Sequence, residues 1–417
     1  MKIIVLAGGN DQAALIQELR HTFKDVEVLL IDFAPNVVAA KYADRHIVES
    51  TMDLAKVKEI AQEEKADYII TACGDQPLLT MAVVSEELGL PCYLSKKQVL
   101  NLTNKMYMKR LMFENDIPTS KFKTFTSKDV IDTTGLTYPL VVKPVDSNGS
   151  KGVRKVCNRE ELEKYLPEAF RFTLTDTVIV EEFCEGVEIS ADFYICDGKA
   201  KKVMWCQLNK YKVDDSTQVI YQSIIPPSLN EKASRTLMEV ANKIAKGYEI
   251  DNSPLLVQAM INGDDVKVIE FSARLGGGAK YKTIQNVTGF NVLRANLESM
   301  LGEKPEVVIN DDGRCYSRCH IYVAGGVFTA IEGLEQLQQR GIIDEYVLTK
   351  PFGVAVGSPK SSSDRVASVF ISAKSKDELR QKVREAIDNL KVNDDKGVDM
   401  LFRDMYRKDT ICVTEYL

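Results

Sequence analysis

The sequence predicts an α/β protein with α+β extensions: an N-terminal doubly wound parallel sheet, a central α+β domain and a C-terminal α+β subdomain. Three observations carry this. Residues 1–103 alternate short apolar runs with stretches of helical spacing. From residue 104 that alternation gives way to paired strand patterns joined by tight loops, and from residue 310 a second group of strands closes with a charged helix. At 417 residues the chain is too long for one small core, and two or three domains are expected.

In the first region "KIIVLAGG" reads as a buried strand and "DQAALIQELRHTF" as a helix with Asp11 as its N-cap. "VEVLLID" and "ADYIITACG" are further strands, and "DLAKVKEIAQEEK" and "LLTMAVVSEELG" are helices. Buried strands separated by helices imply a parallel sheet covered on both faces. Gly8 and Gly9 follow the first strand and Asp32 ends the second, but the glycines do not form G-x-G-x-x-G. A tight strand-to-helix turn is favoured there over a dinucleotide site.

The central region, residues 104–309, opens with the helix "NKMYMKRLMFEND" and continues into "IPTSKF". A glycine-rich-loop subdomain is expected over residues 115–182. "TVIVEEFCEGVEISADFYI" reads as two strands with a short break, and "KASRTLMEVANKIAKGY" as a helix. "PLLVQAMINGDDVKVIEFSARLGGG" reads as a strand pair with a glycine-rich exit. The last region, 310–417, begins with "CYSRCHIYVAG" and ends in the helix "DELRQKVREAIDNLK".

Composition narrows the function. With 54 basic and 60 acidic residues the net charge is -6, so no nucleic-acid partner is expected and an anionic ligand would need a local basic site. The nine cysteines are scattered, which reads as reduced thiols in a cytoplasmic protein. Cys315, Cys319 and His320 lack a second ligand pair, and core packing is favoured over zinc. The start "MKIIVLAGGNDQ" is too short in apolar residues for a secretory signal, and no segment has the length of a membrane span.

Three stretches carry chemistry. In "VVKPVDSNGSKGVRKV" the Walker pattern is absent, and a strand rather than a helix follows the loop. Gly149 and Gly152 would let backbone N–H groups turn inward on phosphates, Ser147 and Ser150 add hydroxyls, and Lys143 and Lys151 add charge. A polar hairpin is an equally good reading of that stretch alone. In "VIVEEFCEGVEISAD", Glu181 and Glu182 end a very apolar strand and Glu188 follows a glycine. A nucleotide would supply partners, its adenine amine near Glu181 and its ribose hydroxyls at Glu188; an exposed strand end is the simpler alternative. In the third stretch Glu270 sits in an apolar run, where a bound cation would offset its cost. A three-residue loop, Gly263 to Asp265, would set Gln258 directly opposite Glu270, with Ser272 and Arg274 on Glu270's face. Oxygen donors of this kind suit magnesium, and Arg274 with Gly276 to Gly278 would hold a transferred phosphoryl group.

These stretches in this order, behind a doubly wound domain, resemble the ATP-grasp superfamily, and above all its carboxylate–amine ligases. The first domain then corresponds to the family's Rossmann-like domain that precedes the ATP-grasp fold. The resemblance implies that Lys105 and Lys143 contact ATP phosphates. It implies that Ser147, Asn148, Gly149, Ser150, Lys151, Gly152 and Val153 form the flexible loop over them. Glu181, Glu182, Phe183 and Cys184 match the adenine hinge, and Glu188 the ribose carboxylate. Gln258, Glu270 and Ser272 match the metal positions, which in relatives are more often acidic at the first and Asn at the third. Arg274 matches the arginine beside the transferred phosphate.

The implied activity is ADP-forming ligation of a small carboxylate and an amine through an acylphosphate, with ATP and one or two magnesium ions, or manganese in their place. A carboxylase working through carboxyphosphate and a non-catalytic ATP-binding regulator are the alternatives. Asp75, Lys210, Gly276, Gly277, Gly278 and Lys280 are candidates to face the substrate, and Arg294 is a weaker one. Homodimerisation through the first domain is common among relatives.

Overall fold

The structure is a computed structural model that describes residues 1–146, 152–213, 218–359, 361 and 364–407. Three sheets organise it. The first is parallel, with strands Lys2–Leu6, Glu27–Asp32, Arg45–Val48 and Tyr68–Ile70 in the order third, second, first, fourth. Ile3 to Leu6 are wholly buried, as strands covered on both faces must be. Helices Asn10–Thr22 and Leu54–Glu63 supply crossovers, and helix Asp75–Leu88 follows the last strand. Gly8 packs so closely that a Cβ there would meet Val37, and Asp32 accepts from the amides of Gly8 and Ala34. Asp32 therefore belongs to the tight turn itself.

The second sheet is antiparallel, in the order Phe122–Thr126, Thr177–Glu182, Leu140–Pro144, Arg154–Val156. Helix Arg159–Arg171 buries Leu162 and Ala169 against its Leu140, Val142 and Val180. The loop residues Ser147, Asn148, Gly149, Ser150 and Lys151 lie outside the described residues. Gly152, at a positive φ of 72°, and Val153 lead into the edge strand.

The third sheet has eight antiparallel strands. In spatial order they are Asp265–Ser272, Ser253–Asn262, Val187–Cys196, Lys199–Lys212, Gln218–Ile225, Cys315–Ile321, Ala367–Ala373 and Glu345–Leu348. It runs without a break past residue 310, and the C-terminal segment adds its own apolar cluster beneath helix Lys376–Asn389. Helix Glu231–Gly247 buries Leu237, Val240 and Ile244. Helices Lys280–Thr288 and Val292–Met300 lie on the face that Tyr194 presents, its hydroxyl donating to the Ala295 carbonyl at 3.0 Å.

Gln258 does pair with Glu270, but not through the three-residue loop expected from sequence. The turn has two residues, Gly263 and Asp264, between the paired Asn262 and Asp265. Gly263 takes a φ of +59°, which that tight turn requires. The register then shifts by one residue, because Ala259 faces Val268 while Gln258 faces Glu270, leaving Ile269 as a bulge. The bulge does what the longer loop was expected to do: it returns Glu270 to Gln258's face.

Candidate functional site

Strand periodicity gathers the site. Glu188, Ser190 and Asp192 alternate along one strand and so share a face. Gln258 pairs with Ser190 on one side and Glu270 on the other, and Leu256 stands between Asp192 and Ser272 in the same way. Helix Lys105–Glu114 and the start of helix Asp75–Leu88 close over this face. The resulting pocket is lined by Asp75, Lys105, Gln258, Glu270, Ser272 and Arg274, which come from three separate parts of the chain.

On the second sheet Glu181 is clamped. Lys143 Nζ lies 2.5 Å from one carboxylate oxygen and Lys109 Nζ 2.7 Å from the other. All three side chains are buried. Burial alone would push the Glu181 carboxyl up, but Lys109 and Lys143 outweigh it and hold the group at about 2. Burial drives Lys109 the opposite way, below the usual lysine range, against the pull of Glu181. Two ammonium groups thus share one buried carboxylate. Glu181 is therefore committed inside the protein. Of the neighbouring hinge residues, Glu182 turns outward to accept from the Thr137 amide, Phe183 stacks under Lys155 at 4.1 Å, and Cys184 Sγ lies 3.1 Å from Ser120 Oγ.

Glu188 is also buried and paired. Lys210 Nζ lies 2.5 Å from its Oε2, and Gln258 Nε2 donates to its Oε1 at 3.2 Å. Lys210 thus joins the carboxylate read as the ribose contact. Gln258, with its nitrogen engaged there, keeps its amide oxygen as a donor atom for a cation. Glu270 is the most open carboxylate of the pocket, its side chain 40% exposed and 3.9 Å from Lys105 Nζ.

The N-terminal domain docks through Asp75. Arg274 grips its carboxylate with two nitrogens, each at 2.7 Å, and Ser272 Oγ donates to it at 2.9 Å. Burial raises the Asp75 carboxyl, but Arg274 more than reverses this and leaves it below the ordinary range; Arg274 is raised in turn. Asp75 is the first residue of its helix, after the N-cap Gly74. Asp11 is likewise not the cap of its helix, which is Gly9. It lies in the first turn and accepts from the amides of Gly278 and Ala279 at 3.1 and 2.9 Å.

Lys280, a candidate substrate contact, is buried instead, with Asp192 Oδ2 at 2.7 Å and Ser190 Oγ at 2.6 Å. Gly276 is required by it, since a Cβ there would lie 2.7 Å from Lys280 Cδ. Arg294 pairs with Glu298 one turn later on its own helix. Cys319 and His320 point to opposite faces of one strand, Cys319 toward Ser317 and His320 toward Ser368. Among the described residues no three His, Cys, Asp or Glu side chains cluster as a metal site would, and no helix is long and apolar enough to cross a membrane.

Three residues that sequence reasoning missed belong here. Lys109 had a signal, one helical turn after Lys105 on the same helix. Arg318 and Asp11 had none, because their partners at Gly278 lie far away in the chain.

Residues 103–278 match the family model of the phosphoribosylglycinamide synthetase ATP-grasp (A) domain, and residues 320–394 match L-amino acid ligase C-terminal domain 2. Over 295 residues the chain is 28% identical to phosphoribosylamine–glycine ligase of Caldanaerobacter subterraneus subsp. tengcongensis, covering 66% of this chain and 69% of that protein. The structure of L-amino acid ligase from Bacillus licheniformis aligns with a TM-score of 0.77 at 22% identity, over 94% of this chain and 98% of that one. The biotin carboxylase domain of 2-oxoglutarate carboxylase from Hydrogenobacter thermophilus, solved with MgADP, ADP and bicarbonate, aligns at 0.76 with 16% identity, over 94% and 90%.

Proposed function

We propose that this chain is an ATP-grasp ligase that joins a small carboxylate to an amine with release of ADP and phosphate. The observation that carries the reading is the convergence of Lys105, Gln258, Glu270, Ser272 and Arg274 in one pocket.

A substrate carboxylate oxygen would attack the γ-phosphorus of ATP. The bond to the β-phosphate oxygen breaks, ADP departs and an acylphosphate remains. The amine then attacks the acyl carbon, the C–O bond to the phosphoryl group breaks with its electron pair going to the departing phosphate, and the amine proton passes to phosphate or solvent. The protein's part is positioning and charge compensation. Lys143 and Lys105 face the phosphates, and Glu188 with Lys210 holds the ribose side. Arg274, kept rigid by Asp75, meets the charge on the transferred group. Magnesium fits the donors present: a half-exposed carboxylate at Glu270, an amide oxygen at Gln258 and the Ser272 hydroxyl oxygen are hard ligands. When bound, the ion would neutralise phosphoryl charge. Manganese would suit the same oxygens.

The test is ADP release with magnesium-ATP against carboxylates and amines, offered singly and in pairs. ADP that appears only with a particular pair is the expected result. ADP with bicarbonate alone would identify a carboxylase instead, and tight ATP binding with no turnover across the panel would favour a regulator.

A further inference from the structure

The turn between helix Arg159–Arg171 and strand Thr177–Glu182 holds both flanks of the glycine-rich loop. On the near flank, Asp146 Oδ2 accepts three hydrogen bonds from this turn. They come from the Leu174 amide, the Thr175 amide and the Thr175 hydroxyl, each at 3.0 Å. The other oxygen, Oδ1, is buried and has no hydrogen-bond partner. On the far flank, Phe172 packs over Gly152. A Cβ on Gly152 would lie 2.8 Å from Phe172 Cδ2 and 3.0 Å from Pro144 Cγ, and the residue takes a φ of +72°. Leu174 and Thr175 are exposed, so burial of their side chains does not hold the turn in place.

The same strand outlet is tied to two lysines. Lys143, three residues before Asp146, places its buried ammonium on Glu181. Between them, the carbonyl of the wholly buried Val145 accepts from the Lys105 amide at 2.8 Å, and the Val145 amide donates to the Thr177 carbonyl at 3.4 Å. Lys105 opens its helix, after the N-cap Asn104. The stretch from Lys143 to Asp146 therefore joins the strand that carries one lysine, the helix start that carries the other, and the 172–175 turn. A carboxylate beside a loop read as phosphate-binding works against the positive potential that phosphates need. Here its charge has another task, because three donors converge on one oxygen, and bonds to an ionised acceptor are the strong ones.

We propose that Asp146 is a positioning residue for phosphate binding. It locks the outlet of strand Leu140–Pro144 to the 172–175 turn and so fixes the spacing of Lys143 and Lys105. This rests on the ligase reading above, in which those lysines face the ATP phosphates. Asp146 acts through the turn it bonds, not by contact with the nucleotide. Substitutions in that exposed turn would therefore alter ATP affinity from outside the nucleotide contacts.

The test uses the full-length protein and three variants, Asp146→Ala, Asp146→Asn and Thr175→Val. The first readout needs no turnover: calorimetric affinity, with magnesium, for AMP and for AMPPNP, the ATP analogue with a P–N–P bridge. AMP carries the adenine and ribose but neither the β- nor the γ-phosphate. The wild type should bind AMPPNP more tightly. Asp146→Ala should weaken AMPPNP about tenfold to a hundredfold and leave AMP unchanged. Asp146→Asn keeps an acceptor oxygen and should recover most of the loss. Thr175→Val changes an exposed side chain, removes one donor of the three and should weaken AMPPNP about threefold. In the ADP assay Asp146→Ala should raise KM for ATP and leave KM for the carboxylate unchanged. Equal weakening of AMP and AMPPNP would mean a general loosening of the subdomain and would overturn the proposal. Unchanged AMPPNP affinity in both Asp146→Ala and Thr175→Val would overturn it too. A wild type that binds both nucleotides equally would remove it together with the assignment of Lys143 and Lys105 to phosphates. A preference lost in Asp146→Ala, with no ADP from any pair, would sink the ligase reading but leave the role of Asp146 standing.

Discussion

Around Glu181 and Glu188, each buried carboxylate is gripped by one or two lysines at 2.5 to 2.7 Å. Around Gly278, Arg318 finds only a carbonyl and a hydroxyl. Glu181 lies on the second sheet, and Glu188 and Arg318 lie on the third. In the first corner buried charge is met by opposite charge within the protein, and at Arg318 it is met by neutral dipoles.

Several substitutions would break or sharpen that contrast. The largest effect is expected from Glu181→Gln, which leaves Lys109 and Lys143 buried against each other without a counter-charge. It should cost about 3–5 kcal/mol in urea unfolding. Next come Lys143→Ala and Glu270→Ala, each expected to lower ADP formation about a hundredfold to a thousandfold, with far-ultraviolet circular dichroism preserved. An active Glu270→Ala protein would remove the metal assignment. Asp75→Asn should cost about 2 kcal/mol of stability by loosening the Arg274 clamp, and should reduce kcat more than KM for ATP.

A smaller effect is expected with pH. The Glu181 carboxyl titrates at about 2 in the folded chain against an ordinary 4.5, so it binds a proton more readily when unfolded. Its contribution is complete above the unfolded value and is lost as pH falls from 4.5 through about 2. Urea unfolding measured down that range should show a decline that flattens in Glu181→Gln. The smallest change is expected from Ser272→Asn, which should keep or raise activity if that side chain is a metal ligand. A collapse in the ADP assay would mean that the Ser272 bond to Asp75 is what matters there.

Much of this molecule is legible before folding. Apolar runs of period two or 3.6 mark its strands and helices, because burial of one face or both imposes those periods locally. Even so, the helix Lys96–Thr103 goes unread, although Ser95 and Gln98 form the capping box that announces it. The Gly263 turn shows why pairing is harder to read than strands. The sequence marks a tight turn there, but the bulge at Ile269, which decides what faces Gln258, leaves no mark.

The candidate site divides in the same way. Lys105, Lys143, Glu188, Gln258, Glu270 and Arg274 can be picked out in the sequence, because charged or amide groups at the ends of apolar strands need partners. Which partner each one takes is not written there. Asp75 meets Arg274 across 199 residues, Asp11 meets Gly278 across 267, and Arg365 reaches Gly278 from just before strand Ala367–Ala373. The sequence by itself determined the elements, their order and the chemistry on offer, since these follow from local periodicity and residue type. Only the tertiary structure decided which charges are neutralised inside the protein and which are not, because that depends on which faces meet and how much water they exclude.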